Sequence, residues 1–202
     1  LPGTWEIDPA RVAALLDENV KAVVPVDFAG WPCDADALAA AVRGCRIRAA
    51  SPVQEALGRP LLMDDAAHAL GSSLRGERMP RALDAAAYSF HAVKNVTSAE
   101  GGALVFRDLP GVLDGAAVAN LKTLALHGQN KSAHAKAQGG GWEYDILMPG
   151  YKCNLTDLHA ALGLVQLDRY PETLERRRTI VARYTAAFRD NPRLAVPPFT
   201  DP

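Results

Sequence analysis

The stretch AYSFHAVKNVTSAEGGALV (Ala87–Val105) sets two apolar runs on either side of a polar loop that carries one lysine, Lys94. The runs AAAYSF and GGALVF are short and bounded by turn residues, and Gly101-Gly102 opens the second, so each reads as a strand. A lysine on such a loop is ordinarily a solvated charge. Held in a desolvated pocket, the same amine is a nucleophile. The spacing alone leaves both readings open.

Working outward, RPLLMDDAAHALGSS (Arg59–Ser73) reads as a strand over Pro60–Met63 that runs into two acids and then small residues. KAVVPVDF (Lys21–Phe28) reads as another buried strand. DADALAAAVRG reads as a helix, with Asp34 or Asp36 near its cap and Gly44 past its end. A further helix is expected from about Val112 to Leu126, with Gly128 as its stop. A polar, glycine-rich loop follows, GQNKSAHAKAQGGGWEYD, mobile or folded over a site. Thr156 fits the N-cap of a helix that presents Leu158, Ala161, Leu162, Val165 and Leu167 at near-helical spacing, and Pro171 is placed to open a second long helix. Repeated strand–helix–strand signals predict an α/β fold, a mostly parallel mixed sheet with helices on both faces. No internal repeat is visible.

Composition narrows the function classes. With 202 residues and 49% hydrophobic content, the chain can bury a core. Its 22 basic and 23 acidic residues nearly cancel and no basic block stands out, which argues against nucleic acid or an anionic membrane as partner. No apolar run approaches the ~20 residues that span a bilayer. Cys33, Cys45 and Cys153 are widely spaced and read as free thiols of a cytoplasmic protein. Neither they nor the five histidines reach metal-ligand spacing. EGG at Glu100–Gly102 is no dinucleotide fingerprint, since GxGxxG is absent. The ERRR run, Glu175–Arg178, reads as a solvated helix face.

Chemistry-bearing residues collect at the expected strand ends, where open α/β sheets bind ligands: Asp65 with His68 three positions on, Ser89, and Lys94. Each has a plain alternative, such as Asp65 capping a helix that starts at Ala66. Together they match the needs of pyridoxal phosphate. Its aldehyde takes a lysine amine, its ring nitrogen works as an electron sink when a carboxylate keeps it protonated, and its phosphate takes hydroxyls and backbone N–H groups. Lys94, Asp65 and Ser89 supply these in turn.

LLMDDAAHALGSSLRGERMPRALDAAAYSFHAVKNVTSAEGGALV resembles the core of the DegT/DnrJ/StrS-type nucleotide-sugar aminotransferases, and WEYDILMPGYKCNLTDLHAALGLVQLDRYPETLERRR is similar to that family's second hallmark block. The resemblance implies an aspartate aminotransferase-like enzyme of fold type I, with a three-layer α/β/α large domain. In it, Lys94 carries the coenzyme, Asp65 pairs with the ring nitrogen, His68 lies against the ring or its phenolic oxygen, and Ser89 contacts the phosphate. It also implies a homodimer with shared sites, glutamate as amino donor, and a nucleotide-linked keto-sugar as acceptor. Many relatives carry Asn where this chain has Lys152. Members resembling the 4-amino-4-deoxy-L-arabinose enzymes of lipid A modification have lysine there, followed two residues on by asparagine, as at Asn154. Lys152 is therefore a candidate phosphate contact across the interface. Met79-Pro80 stands where relatives favour Val-Gly, and the Arg43–Gly58 stretch is longer than the usual connection. The expected division is a partial large domain over 1–170 and a helix over 171–202 leading into a truncated small domain, the middle of a longer enzyme. Two alternatives remain: a sugar dehydratase, which in this family has histidine at the lysine position, and a truncated non-catalytic member.

Overall fold

The computed structural model describes residues 5–74, 76–78, 83–138 and 142–197. Six strands are present among them: β1 (Ala22–Val23), β2 (Leu61–Asp65), β3 (Ser73–Leu74), β4 (Glu77–Arg78), β5 (Ala85–Ser89) and β6 (Gly102–Phe106). The main sheet has the order β1-β2-β5-β6. β1, β2 and β5 run parallel, and β6 returns antiparallel to β5. β3 and β4 form a separate hairpin. The helices are α1 (Pro9–Leu15), α2 (Ala35–Arg43), α3 (Pro52–Leu57), α4 (Gly115–Ala125), α5 (Ala133–Ala137) and α6 (Asp157–Phe188). The expected α/β fold with a mixed sheet is therefore present. The Met79-Pro80 turn lies outside the described residues.

Local chemistry explains most boundaries. Asp34 caps α2 by accepting the Ala37 N–H at 3.0 Å, Asp114 caps α4, and Ser51 caps α3 ahead of Pro52. The Arg43–Gly58 stretch thus has an order that its sequence did not announce. α3 ends at Gly58, whose left-handed backbone (φ 68°) suits glycine, and Arg48 donates its N–H to Glu18 O at 2.7 Å. The expected strand over Lys21–Phe28 shrinks to Ala22–Val23 and one further bridge, Val26 to Asp65, because Pro25 lacks an N–H and interrupts the ladder. In the polar loop, Ser132 caps α5, and Asn130 and Asp145 bind each other through three hydrogen bonds of 3.0, 3.1 and 3.1 Å.

The expected break at Pro171 does not occur. α6 runs unbroken for 32 residues with Pro171 inside it, and it crosses the expected 170/171 division. A proline there forfeits one backbone bond. Side-chain anchors on either side of Pro171 hold the rod in place: the Tyr170 hydroxyl donates to Leu70 O, and Arg177 donates to Asn95. The apolar stripe of α6 is real but uncovered, with Leu158 85% and Leu164 65% exposed.

The core lies on one face of the sheet, where α1 and α2 bring Val12, Leu38, Ala39 and Val42 against Val23, Leu62 and Leu83. At the edge of this core Asp84 is buried, and it accepts both Arg59 guanidinium nitrogens at 2.7 Å, Arg107 at 2.8 Å and the Leu62 N–H at 2.9 Å. Burial alone pushes this carboxyl up, but the two arginines and the backbone donor outweigh it and hold it below the usual carboxylate range. Replacing Asp84 with alanine leaves Arg59 without its bidentate partner and is expected to cost roughly 3 kcal/mol, read by urea unfolding at neutral pH. The native advantage should vanish in acid, once the pH falls from about 4 through the depressed value of Asp84. An advantage that persists at low pH contradicts the ion-pair origin.

Candidate active site

The C-terminal ends of β2 and β5 define the site. Asp65 closes β2 and Ser89 closes β5, and the Ala66 N–H donates to Ala87 O at 3.0 Å, so the chain leaves both strands side by side. No helix starts at Ala66. Asp65 Oδ1 instead accepts the Ala67 N–H at 3.2 Å and shapes a turn. Ser89 Oγ accepts the His91 N–H at 3.3 Å. The loop after β5 is closed at its base by Phe90 N–H to Gly101 O (2.8 Å) and Ser98 N–H to Phe90 O (2.9 Å). Lys94 projects from this closed loop and is half-buried.

Lys94 Nζ lies 2.9 Å from His68 Nε2. The other ring nitrogen, Nδ1, accepts the Ala29 N–H at 3.2 Å. A neutral ring then carries its proton on Nε2, facing the lysine nitrogen. The Phe28 ring meets the imidazole edge-on, with centroids 6.1 Å apart. The Phe28–Gly30 turn approaches closely because Gly30 has φ +81°, and a Cβ there would come within 3.1 Å of His68 O.

The structure thus brings Asp65, His68, Ser89 and Lys94 to one sheet edge. Lys152 is not joined to them by any contact among the described residues; it is exposed, and its backbone bridges Leu126. Two contributors had no signal in the sequence reading. Asn95 donates to His68 O at 2.8 Å and to Leu70 O at 3.2 Å, stitching the Lys94 loop to the His68 turn. Glu175–Arg178 are all exposed, as expected of a solvated face, and Arg177 additionally donates to Asn95 Oδ1 at 3.1 Å. The position of Asn95 directly after Lys94 was the available clue.

The chain matches the DegT/DnrJ/EryC1/StrS aminotransferase family over residues 1–201. It belongs to that family. Among curated proteins it is 36% identical over 195 residues to the spore coat polysaccharide biosynthesis protein SpsC of Bacillus subtilis (strain 168), covering 96% of this chain and 45% of SpsC. Among solved structures it is similar to Spr1654 of Streptococcus pneumoniae in its PMP form, with TM-score 0.82 and 44% identity over 93% of this chain and 48% of that one. It also resembles DesI, solved in the presence of its TDP-sugar product, with TM-score 0.67 and 33% identity over 95% of this chain and 41% of DesI. The chain therefore spans about half the length of these relatives. Spr1654 has also been solved in a PLP form.

The residues present fit this coenzyme: one half-buried amine held 2.9 Å from an imidazole nitrogen, one carboxylate at a strand end, and a hydroxyl beside backbone donors. If Asn95 holds the two loops together, Asn95→Ala should weaken coenzyme binding about tenfold or more and lower stability by about 1 kcal/mol, measured by fluorescence titration and thermal unfolding. Unchanged affinity would remove Asn95 from the site.

Proposed function

We propose that the protein containing this chain is a PLP-dependent aminotransferase that moves an amino group from glutamate to a nucleotide-linked keto-sugar. The observation carrying this reading is the Lys94–His68 contact at the edge that Asp65 and Ser89 share. Family membership supports it, as does the TDP-sugar product named for DesI.

When bound, the coenzyme supplies an electron sink that stabilises negative charge on the donor's α-carbon. Lys94 anchors the coenzyme covalently. Its Nζ, when not holding the coenzyme, would take the donor's α-proton and return it two atoms further along. Asp65 holds a proton on the ring nitrogen from the open side of β2. Ser89 and the loop's N–H groups hold the phosphate, and His68 orients Lys94 through Nε2 while Ala29 fixes the imidazole from behind. Lys94 also favours transamination over the dehydratase alternative, since a tertiary imidazole nitrogen cannot serve as this primary amine. For Lys152 the proposal is a phosphate contact made from its exposed segment across a homodimer interface.

Replacing Lys94 with alanine should abolish the visible absorbance of the loaded protein and lower the glutamate half-reaction by more than about 10²-fold. Borohydride reduction of the native protein should place the label on Lys94. Substantial turnover by Lys94→Ala ends this reading. A bleached, Lys94-labelled protein that fails to react with glutamate would favour the non-catalytic alternative.

A further inference from the structure

Alternation along β2 sends Asp64 to the face opposite Asp65, into the core beside Leu62. Asp64 and Asp27 are both fully buried, as is Cys33, and one potential ligand atom from each of the three lies within 4.8 Å of the others. Asp27 Oδ1 accepts the Cys33 N–H at 2.8 Å. Asp27 Oδ2 and both Asp64 oxygens have no hydrogen-bond donor. Three buried carboxylate oxygens without a donor are strongly unfavourable unless something stands between them. The Cys33 thiol hydrogen-bonds to Asp27, but no cationic group faces the pair among the groups that act on it. Asp65 and Glu6 are acidic, and the Cys33 thiol and the Tyr88 phenol are both pushed up by burial and by these two aspartates. A proton is the smallest species that satisfies the arrangement, because one carboxyl then donates to the other.

We propose that Asp27 and Asp64 share a single buried proton, and that the one negative charge the pair keeps stands behind Asp65 as a positioning group for its ring-nitrogen contact. Backbone bonds deliver that charge to the right place: Asp65 N–H donates to Pro25 O at 2.9 Å, and Asp27 N–H donates to Asp65 O at 3.2 Å. The Asp27 segment therefore braces the residue whose electrostatics the pair sets. Burial raises both carboxyls; the Asp27 charge adds to it at Asp64, which is pushed up to about 8, whereas at Asp27 hydrogen bonds from Cys33 and Asp64 pull against it. The half of the proposal concerning Asp65 rests on the aminotransferase reading; the shared proton does not.

The test compares the native protein with Asp64→Asn, free of coenzyme, by thermal unfolding across pH. A carboxyl raised in the folded state stabilises fully below its unfolded value and loses that contribution as pH climbs through the folded value. Native stability should therefore fall between about pH 4 and pH 8 relative to Asp64→Asn, whose amide donates permanently to Asp27. A difference curve that is flat over this window overturns the shared proton. So does stabilisation of the native protein, but not of the variant, by added zinc or magnesium chloride, which would show a cation in the proton's place. For the loaded protein, Asp27→Asn/Asp64→Asn removes the charge, and the pH midpoint of the visible absorbance should drop by about one unit. Asp64→Asn, which keeps the charge, should leave the midpoint near its native value. Asp27→Ser/Asp64→Asn replaces the double variant if that one does not fold. Equal midpoints in all three proteins overturn the link to Asp65. If the native protein takes up no coenzyme, the aminotransferase reading fails, while the coenzyme-free curves still decide the proton.

Discussion

The last residues of β2 are held by backbone bonds from both sides, and the remainder of the site follows from that restraint. On one flank Asp65 exchanges bonds with Pro25 and Asp27; on the other, Ala66 reaches Ala87 of β5. Neither neighbour leaves the strand end free to slip by a residue, and a slip of one would exchange the two faces. Fixed this way, Asp65 faces the open edge with Lys94 and His68, and Asp64 is committed to the interior. Two adjacent acids in the sequence thereby acquire opposite environments.

The loop that carries Lys94 is restrained by a comparable economy of means. Its base is closed by Phe90, Ser98 and Gly101, its flank is tied to the His68 turn by Asn95, and Asn95 is tied in turn to α6 by Arg177. An amine on a long, flexible side chain gains a defined position only when its backbone is fixed and its tip has a partner. Both conditions are met here, and Ser89 at the end of β5 adds a further tie through the His91 N–H.

Sequence patterns made the strand ends and their chemistry legible because those signals are local. β5 and β6 announce themselves through short apolar runs, α2 through its aspartate cap, and the coenzyme set through a spacing that a known family shares. What escaped was non-local. Pro171 reads as a helix start because the anchors that hold the helix through it, Leu70 and Asn95, lie 100 and 82 positions from their partners Tyr170 and Arg177. Arg177 looks solvated until Asn95 is brought to it. Asp27, Cys33 and Asp64 show no metal-like or catalytic spacing, yet the crossing of Pro25 beneath β2 packs them together. Asp65 as a helix cap was locally sound, and it failed because the chain turns toward Gly71 instead.

The uninterrupted α6 also acts as a lever. It pivots where Arg177 grips Asn95, and eleven further residues extend beyond that point to Phe188. At 1.5 Å per residue that arm is about 16 Å long, so a tilt of roughly 4° at the pivot sweeps its tip by ~1 Å. A tilt of α6 would therefore move residues near Phe188 far more than the Arg177–Asn95 tie that borders the lysine loop.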